Sequence, residues 1–344
     1  MPKERRNVAL IEQVITVGIK LYNIGVIIVS SIYDRLISEL ALAKGKDLSS
    51  SDRNSVISAL EKLENSKLNI MLVGATGVGK SSTINAIFDA ETAKVGYSVD
   101  PETKHTEKYE IGNNIVLWDT PGFGDSPEND REYAKEIVST LRKKDSDGNL
   151  LIDAVVVLID GSSRDLKTTY EIIEQVIAPY LGDNKRIVLA INQCDMGLKG
   201  RDWNKEACCP GKKLTDFLNQ KVESVQERVK ASTGIDTTPI YYSAFYKYNI
   251  SKLLLAMMKA VPDSKRFIYA DNLNKNPEVW RVNDSVADYN QEIKVETQNS
   301  LLKALGGALK GAKIGAAIGS VIPIVGEAIG AVVGGALGFI GSFI

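Results

Sequence analysis

The 344-residue chain has one histidine, His105, and three cysteines, two of them adjacent at Cys208 and Cys209. Three thiols cannot build a disulfide framework, and a lone imidazole leaves the cysteines without metal-ligand spacing. A reducing compartment, the cytoplasm, suits that usage. Charge of one sign is also lacking: 42 Lys and Arg face 43 Asp and Glu, for a net charge of −1. That balance argues against a broad nucleic-acid surface. Long uncharged runs are absent too. Between Lys20 and Asp34 only thirteen residues are free of charge, short of the roughly 20 needed to cross a bilayer. Lys3, Arg5 and Arg6 precede apolar residues, but Glu12 and Lys20 interrupt the run and no small-residue cleavage site follows. A signal peptide is not expected. The length suits one large or two modest domains.

What the chain does have is Val73-Gly74-Ala75-Thr76-Gly77-Val78-Gly79-Lys80-Ser81-Ser82, directly after the apolar Leu68-Asn69-Ile70-Met71-Leu72 and before the amphipathic Thr83 to Phe88. A β-rich run, a glycine loop closing on Gly-Lys-Ser and a helix form the strand, loop and helix of a P-loop. Gly74 and Gly79 let the backbone curl so that successive N–H groups and the helix N-terminus point at phosphate. Thr76, Gly77, Val78 and Ser82 complete the cradle. Lys80 is expected on the β- and γ-phosphates, and the Ser81 hydroxyl on Mg²⁺.

Upstream, Val8 to about Ala43 has helical character, and Ser49 to Glu64 reads as a second helix with Val56, Ile57, Leu60 and Leu63 on one face. Asp89 to Lys108 reads as a long loop, a length that in compact domains goes with function. Tyr109 to Trp118 reads as a hairpin turning at Gly112-Asn113, and runs into Asp119-Thr120-Pro121-Gly122. Ala154 to Asp160 and Ile187 to Ile191 read as buried strands, with a helix from Leu166 to Leu181 between them. The second strand ends on Asn192-Gln193-Cys194-Asp195. A polar insert, Met196 to Lys213, precedes a charged helix from about Leu214 to Ser232. Pro239 to Tyr242 is the last strand, running into Ser243-Ala244, and Ile250 to Val261 closes with a helix. Alternating strands and helices imply a parallel sheet with its ligand at the carboxyl ends of the strands.

These motifs, in this order over roughly residues 67–262, resemble the Ras-like GTPases and especially the bacterial Era-like branch, the TrmE-Era GTPases. Gly-Lys-Ser-Ser-Thr-Ile-Asn-Ala, Asp-Gly-Ser-Ser-Arg-Asp and Ala-Ile-Asn-Gln resemble a prophage- and genome-island-encoded subgroup. The resemblance implies an α/β Ras-like P-loop GTPase domain, a mixed and mostly parallel sheet with helices on both faces, plus flanking helical segments. It implies GTP or GDP with Mg²⁺ as cofactors. Asp119 would hold Mg²⁺ through water, and the Gly122 amide would contact the γ-phosphate. Thr103 or Thr106 would be the loop threonine on Mg²⁺; Thr103 is favoured because Thr-Lys-His resembles the family's Thr-Arg-His. Asn192 and Asp195 would select guanine, since a carboxylate facing adenine lacks the N1–H and 2-amino donors. The Ala244 backbone, after Ser243, would meet guanine O6.

Three positions depart from the family. Gln193 stands where a lysine stem usually covers the base, so weaker binding and faster exchange are expected. Phe123 occupies the slot of the water-orienting glutamine of Ras, and a phenyl ring cannot orient water, so intrinsic hydrolysis should be slow. Gly77 stands where potassium-stimulated relatives carry an asparagine, so potassium stimulation is not expected. His105 reads as a solvated side chain, Cys208-Cys209 as loop residues, and Cys194 as lying near the base.

Past Val261 the chain turns polar through Asn272 to Pro277, which reads as a linker. Then Gly307, Gly311, Gly315 and Gly319 repeat every fourth residue, Pro323 interrupts, and Gly326, Gly330, Gly334 and Gly338 resume the interval. Two helices with small-residue faces would pack closely, as in membranes, although Lys310, Lys313 and Glu327 break the apolar runs; a soluble hairpin or a low-complexity tail is the alternative. The expected division is 1–66, an N-terminal helical segment; 67–262, the GTPase; 263–299, a helical connector; and 300–344, a glycine-zipper hairpin. The expected function is a slow GTPase switch coupled through 300–344 to membrane lipid or to a second copy, with an activating factor or other protein partner, in the cytoplasm or peripheral to the inner membrane. A membrane-active effector or scaffold gated by GTP is the alternative, with a ribosome or RNA assembly GTPase behind it.

Overall fold

A computed structural model describes residues 31–34, 36–37, 50–88, 93–94, 106–124 and 126–306. Seven strands form one sheet: β1 Leu68–Gly74, β2 Ala93–Lys94, β3 Glu107–Ile111, β4 Ile115–Asp119, β5 Ala154–Asp160, β6 Ile187–Asn192 and, beyond a separate hairpin of β7 Trp203–Asn204 and β8 Cys209–Pro210, β9 Ile240–Tyr241. The order is β2-β3-β4-β1-β5-β6-β9. Pairs from β4 through β9 are parallel, and the β2-β3-β4 edge is antiparallel.

The central strands are continuous apolar runs because both sheet faces are covered. Leu68, Ile70 and Leu72 of β1 enter one core, whereas Met71 and Val73 enter the other. The same alternation divides Ala154, Val156 and Leu158 from Val155, Val157 and Ile159 in β5.

The first core lies under α1 Ser50–Glu64, α2 Lys80–Ile87 and α6 Ile250–Ala260; the second lies under α3 Pro127–Leu141, α4 Lys167–Glu171 and α5 Lys212–Thr233. Helix α3 is not among the expected elements, yet its start is well marked: the Ser126 side chain accepts from the Asn129 amide, and Pro127 sits in the first turn. The helix expected from Leu166 to Leu181 is there but changes pitch. It continues from α4 as a π-helical stretch, Ile172–Ile177, and a 3₁₀ turn, Ala178–Tyr180, burying Ile172, Ile173, Val176 and Ile177.

The expected connector is packed structure. Its 3₁₀ segments Asp263–Asp271 and Pro277–Trp280, with α7 Val286–Gly306, bury Phe267, Ile268, Trp280, Ile293 and Leu301 in the first core, together with Ile32, Tyr33 and Leu36. The polar run at Asn272–Asn276, which reads as a linker, spends its side chains on backbone groups of the globule. Asn274 donates from Nδ2 to the Asn85 carbonyl and from its own amide to the Ile87 carbonyl, closing the end of α2. Asn272 Nδ2 donates to Asn114 Oδ1 at 3.0 Å. Most of the helix expected over Val8–Ala43, and the repeating glycines from Gly307 to Gly338, lie outside the described residues. Among the described residues no helix is long and apolar enough to cross a membrane.

Candidate active site

The site sits where β1, β4, β5 and β6 end. The phosphate loop leaves β1 at Gly74, and Gly79 (φ 92°) precedes Lys80, the first residue of α2. A side chain at Gly79 would need left-handed backbone and would collide with Asn192 Nδ2. Thr83 fastens the loop from inside the helix, its amide and hydroxyl both donating to the Gly79 carbonyl at 3.0 and 2.8 Å. Val78 is buried while Thr76, Gly77, Ser81 and Ser82 are exposed, so the concave face is open to a ligand. Lys80 lies back across the loop, with Nζ 3.4 Å from the Gly74 carbonyl.

Asp119 reaches the same edge because β4 runs parallel to β1 with Leu72 opposite Asp119. It is buried. The Thr120 hydroxyl donates to the Leu72 carbonyl at 2.9 Å, and the Phe123 amide donates to the Gly74 carbonyl at 3.4 Å. The Asp-Thr-Pro-Gly turn therefore rides on the phosphate loop. Gly122 is required by that approach: a Cβ there would lie 2.6 Å from the Thr76 amide nitrogen. Phe123 turns away into the second core, edge-on to Tyr133 with ring centroids 6.2 Å apart. Thr103 and His105 are outside the described residues. Thr106 is within them; its amide donates to Glu136 Oε1 at 2.9 Å, and its buried hydroxyl has no hydrogen-bond partner among the described residues.

On the base side, Asn192 ends β6 and uses both halves of its amide. Nδ2 donates to the Val78 carbonyl at 2.9 Å, and Oδ1 accepts from the Ala244 amide at 3.1 Å. One side chain thereby joins the phosphate loop to the last motif. Gln193 adopts left-handed backbone (φ 56°), and its Nε2 donates to the Gly77 carbonyl at 3.0 Å, a second tie to the phosphate loop. Asp195 is buried in the 3₁₀ turn Cys194–Met196. Ser243 is buried, its Oγ accepting from the Tyr246 amide. Burial, with Asp195 beside it, pushes the Cys194 thiol well above its ordinary range.

Three further residues brace the strands and loops that lead to the site without a motif to announce them. Tyr242, fully buried, places its hydroxyl 2.6 Å from that of Thr83. Lys221 on α5 donates to the carbonyls of Asp160, Gly161 and Ser163 at 2.9, 2.9 and 2.6 Å, holding the loop that follows β5. Asn69 accepts from the buried Trp118 indole at 3.0 Å. Asn69 carried a visible signal, an amide inside an apolar strand that must find a partner; Lys221 on its polar helix carried none.

The donor chemistry at the junction of α2 and β4 fits Mg²⁺. The Ser81 hydroxyl and Asp119 carboxylate are hard oxygens, and among the described residues no group of three or more His, Cys, Asp or Glu offers an all-protein cage. That suits an ion that keeps waters and takes its remaining ligands from phosphate.

Comparison with known proteins places this geometry. Residues 69–193 match the family described as 50S ribosome-binding GTPase. The tRNA modification GTPase MnmE of Marinomonas sp. is 27% identical over 174 residues, 50% of this chain and 36% of that protein. The interferon-gamma-inducible GTPase 10 of Mus musculus is 26% identical over 232 residues, 62% of this chain and 49% of that protein. The chain thus spans half or less of the length of these curated relatives. Among solved structures, a probable GTP-binding protein EngB is 20% identical with a TM-score of 0.40, over 56% of this chain and 97% of that one. Members of the matched family bind GTP or GDP with Mg²⁺ and hydrolyse GTP. With phosphate loop, Asp-Thr-Pro-Gly turn and Asn192–Asp195 gathered at one edge of a mixed, mostly parallel sheet, the fold is that of a P-loop GTPase, and residues 69–193 carry the family match.

Proposed function

We propose that the whole chain is a guanine-nucleotide switch of the Era-like kind that hydrolyses GTP slowly. The observation that carries this reading is the Asn192 bridge, which couples phosphate loop and base loop while Asp195 stays buried two residues away from Gln193. In this reading Asp195 accepts from guanine N1–H and the 2-amino group, and the Ala244 amide shares its one N–H between Asn192 Oδ1 and guanine O6. The N–H groups of Gly77 to Ser82, with Lys80, stabilise the charge that develops as water attacks the γ-phosphate and its bond to the β–γ bridging oxygen breaks. Ser81, Asp119 and Thr103 would hold Mg²⁺, which neutralises phosphate charge when bound. Phe123 gives water no hydrogen bond, and its ring is committed to the core, which supports slow turnover. Residues 67–262 form the GTPase part in this scheme, and the glycine-repeat segment within 300–344 couples nucleotide state to lipid or to self-association, a reading supported by the four-residue spacing of its glycines.

Calorimetric titration with GDP, GTP, ATP and XDP in Mg²⁺ tests the base reading. The wild type is expected to bind GDP and GTP and to ignore ATP; Asp195→Asn should lose about tenfold or more for GDP and gain XDP. Equal binding of ATP, or unchanged GDP affinity in Asp195→Asn, overturns it. Flotation of the full chain with anionic vesicles in GDP and in a non-hydrolysable GTP analogue tests the coupling; an aqueous protein in both states, with an unchanged mass, removes it.

A further inference from the structure

Helix α3 meets the turn that carries Asp119 from two directions. Asp130, Tyr133 and Glu136 follow one another at intervals of three, so they form a single ridge along the helix. Each has a separate target. Asp130 Oδ1 accepts from the Gly124 amide at 3.0 Å, just past the Asp-Thr-Pro-Gly turn. The Tyr133 ring takes the edge of Phe123. Glu136 Oε1 accepts from the Thr106 amide at 2.9 Å, at the head of β3, where the next residue, Glu107, is paired with Asp119. The strand residue opposite Asp119 and the loop beyond it are thus fastened to one rigid element.

The Glu136 contact stands out within this ridge. Among the described residues Thr106 has no hydrogen-bond partner for its buried hydroxyl, and its amide is the polar group by which the head of β3 is tied to α3. The acceptor is a half-buried carboxylate, and hydrogen bonds to an ionised acceptor are stronger than neutral ones. No phosphate-loop, metal or base motif includes Glu136.

We propose that Glu136 is a positioning residue for GTP hydrolysis, setting the register of β3 against Asp119 and so the placement of the Asp119 carboxylate and the Gly122 amide. The proposal rests on the GTPase reading above. Glu136 touches no nucleotide; it acts through the Thr106 amide, and its removal should affect events at the γ-phosphate while sparing base and β-phosphate contacts. Misplacement of reacting groups is costly in rate even when binding survives.

The test uses the full chain with Glu136→Leu and Glu136→Gln. Single-turnover GTP hydrolysis, its dependence on Mg²⁺ concentration, and GDP affinity are measured beside the thermal midpoint. Glu136→Leu is expected to slow hydrolysis about tenfold and to raise the Mg²⁺ concentration for half-maximal rate several-fold, with GDP affinity within about twofold. Glu136→Gln keeps an acceptor oxygen and should return most of the rate. Wild-type hydrolysis and Mg²⁺ dependence in a folded Glu136→Leu overturns the proposal, as does equal loss of GDP and GTP binding, which would mark a structural role only. If Glu136→Leu does not fold, amide exchange in the wild type decides: Thr106 protection should exceed that of an unbonded exposed amide and rise with a non-hydrolysable GTP analogue over GDP. Fast exchange in both states overturns the proposal. Failure of the wild type to bind GDP would instead sink the GTPase reading itself.

Discussion

The hydroxyls of Thr83 and Tyr242 lie 2.6 Å apart, linking the helix that begins at the phosphate loop to the strand that ends at the base motif. Thr83 donates to the Gly79 carbonyl, so Tyr242 is the donor in the pair. Tyr242→Phe keeps the ring and removes that one bond. It should cost about 1 kcal/mol, read as a lower midpoint in chemical denaturation with an unchanged slope. An unchanged midpoint would mean that the pair adds no net stability.

The cysteines should sort by environment. Cys194 is buried, and burial, with Asp195 next to it, raises its thiol well above the ordinary range, whereas Cys208 and Cys209 are partly exposed in the β7–β8 hairpin. A thiol reagent that reads thiolate should label two cysteines per native chain at pH 8 and the third only after unfolding. Rapid labelling of all three in the native state would contradict the burial of the base-side turn.

Much of this was open to inspection in the sequence, and the reasons differ from place to place. The central strands declare themselves because β1, β5 and β6 are covered on both faces and need apolar residues at every position. The phosphate loop and the Asp-Thr-Pro-Gly turn do so because glycine is required where Gly79 goes left-handed and where Gly122 meets Thr76. Helix α3 is hard to see because seven of its fifteen residues are charged or amide-bearing, and its apolar side is carried by only a few residues such as Tyr133 and Ile137. Asn272 to Asn276 misled for a related reason. A run of amides looks the same whether it faces water or caps carbonyls such as that of Ile87, and only the fold distinguishes the two. Gln193 departs from the family's lysine, and only the fold shows that its amide reaches the Gly77 carbonyl.

Acid should favour the seating of residues 31–34. The Asp271 carboxylate accepts from the Ile32 amide at 2.8 Å, but burial foremost, with Asp34 adding, lifts it above the ordinary 3.8. Glu64, hydrogen-bonded to the Ser31 hydroxyl, is raised in the same sense by burial and by Asp34 and Asp271. A raised carboxylate binds its proton more tightly in the folded chain, so its contribution is fully present below the unfolded value and is lost as pH rises through the folded one. Asp271→Asn keeps an acceptor for Ile32 and removes the buried charge. It should raise the thermal midpoint at pH 7 by about 2 °C and narrow the difference between pH 4.5 and pH 7. A lower midpoint at pH 7 would show that the charge itself is stabilising.

The core shared by α6 and the segments after it sets what can be transplanted. Leu254, Met257 and Met258 are sealed by the same cluster that takes in Phe267, Ile268, Trp280 and Ile293, and Lys265 reaches back to the Asp153 carboxylate and the Lys67 carbonyl. A cassette cut at residue 262 would carry every nucleotide motif and still bare an oily flank and take Lys265 away from the buried Asp153 carboxylate. Grafted onto another protein, it would bring insolubility with it; a cassette has to keep the segments that bear Phe267, Trp280 and Ile293.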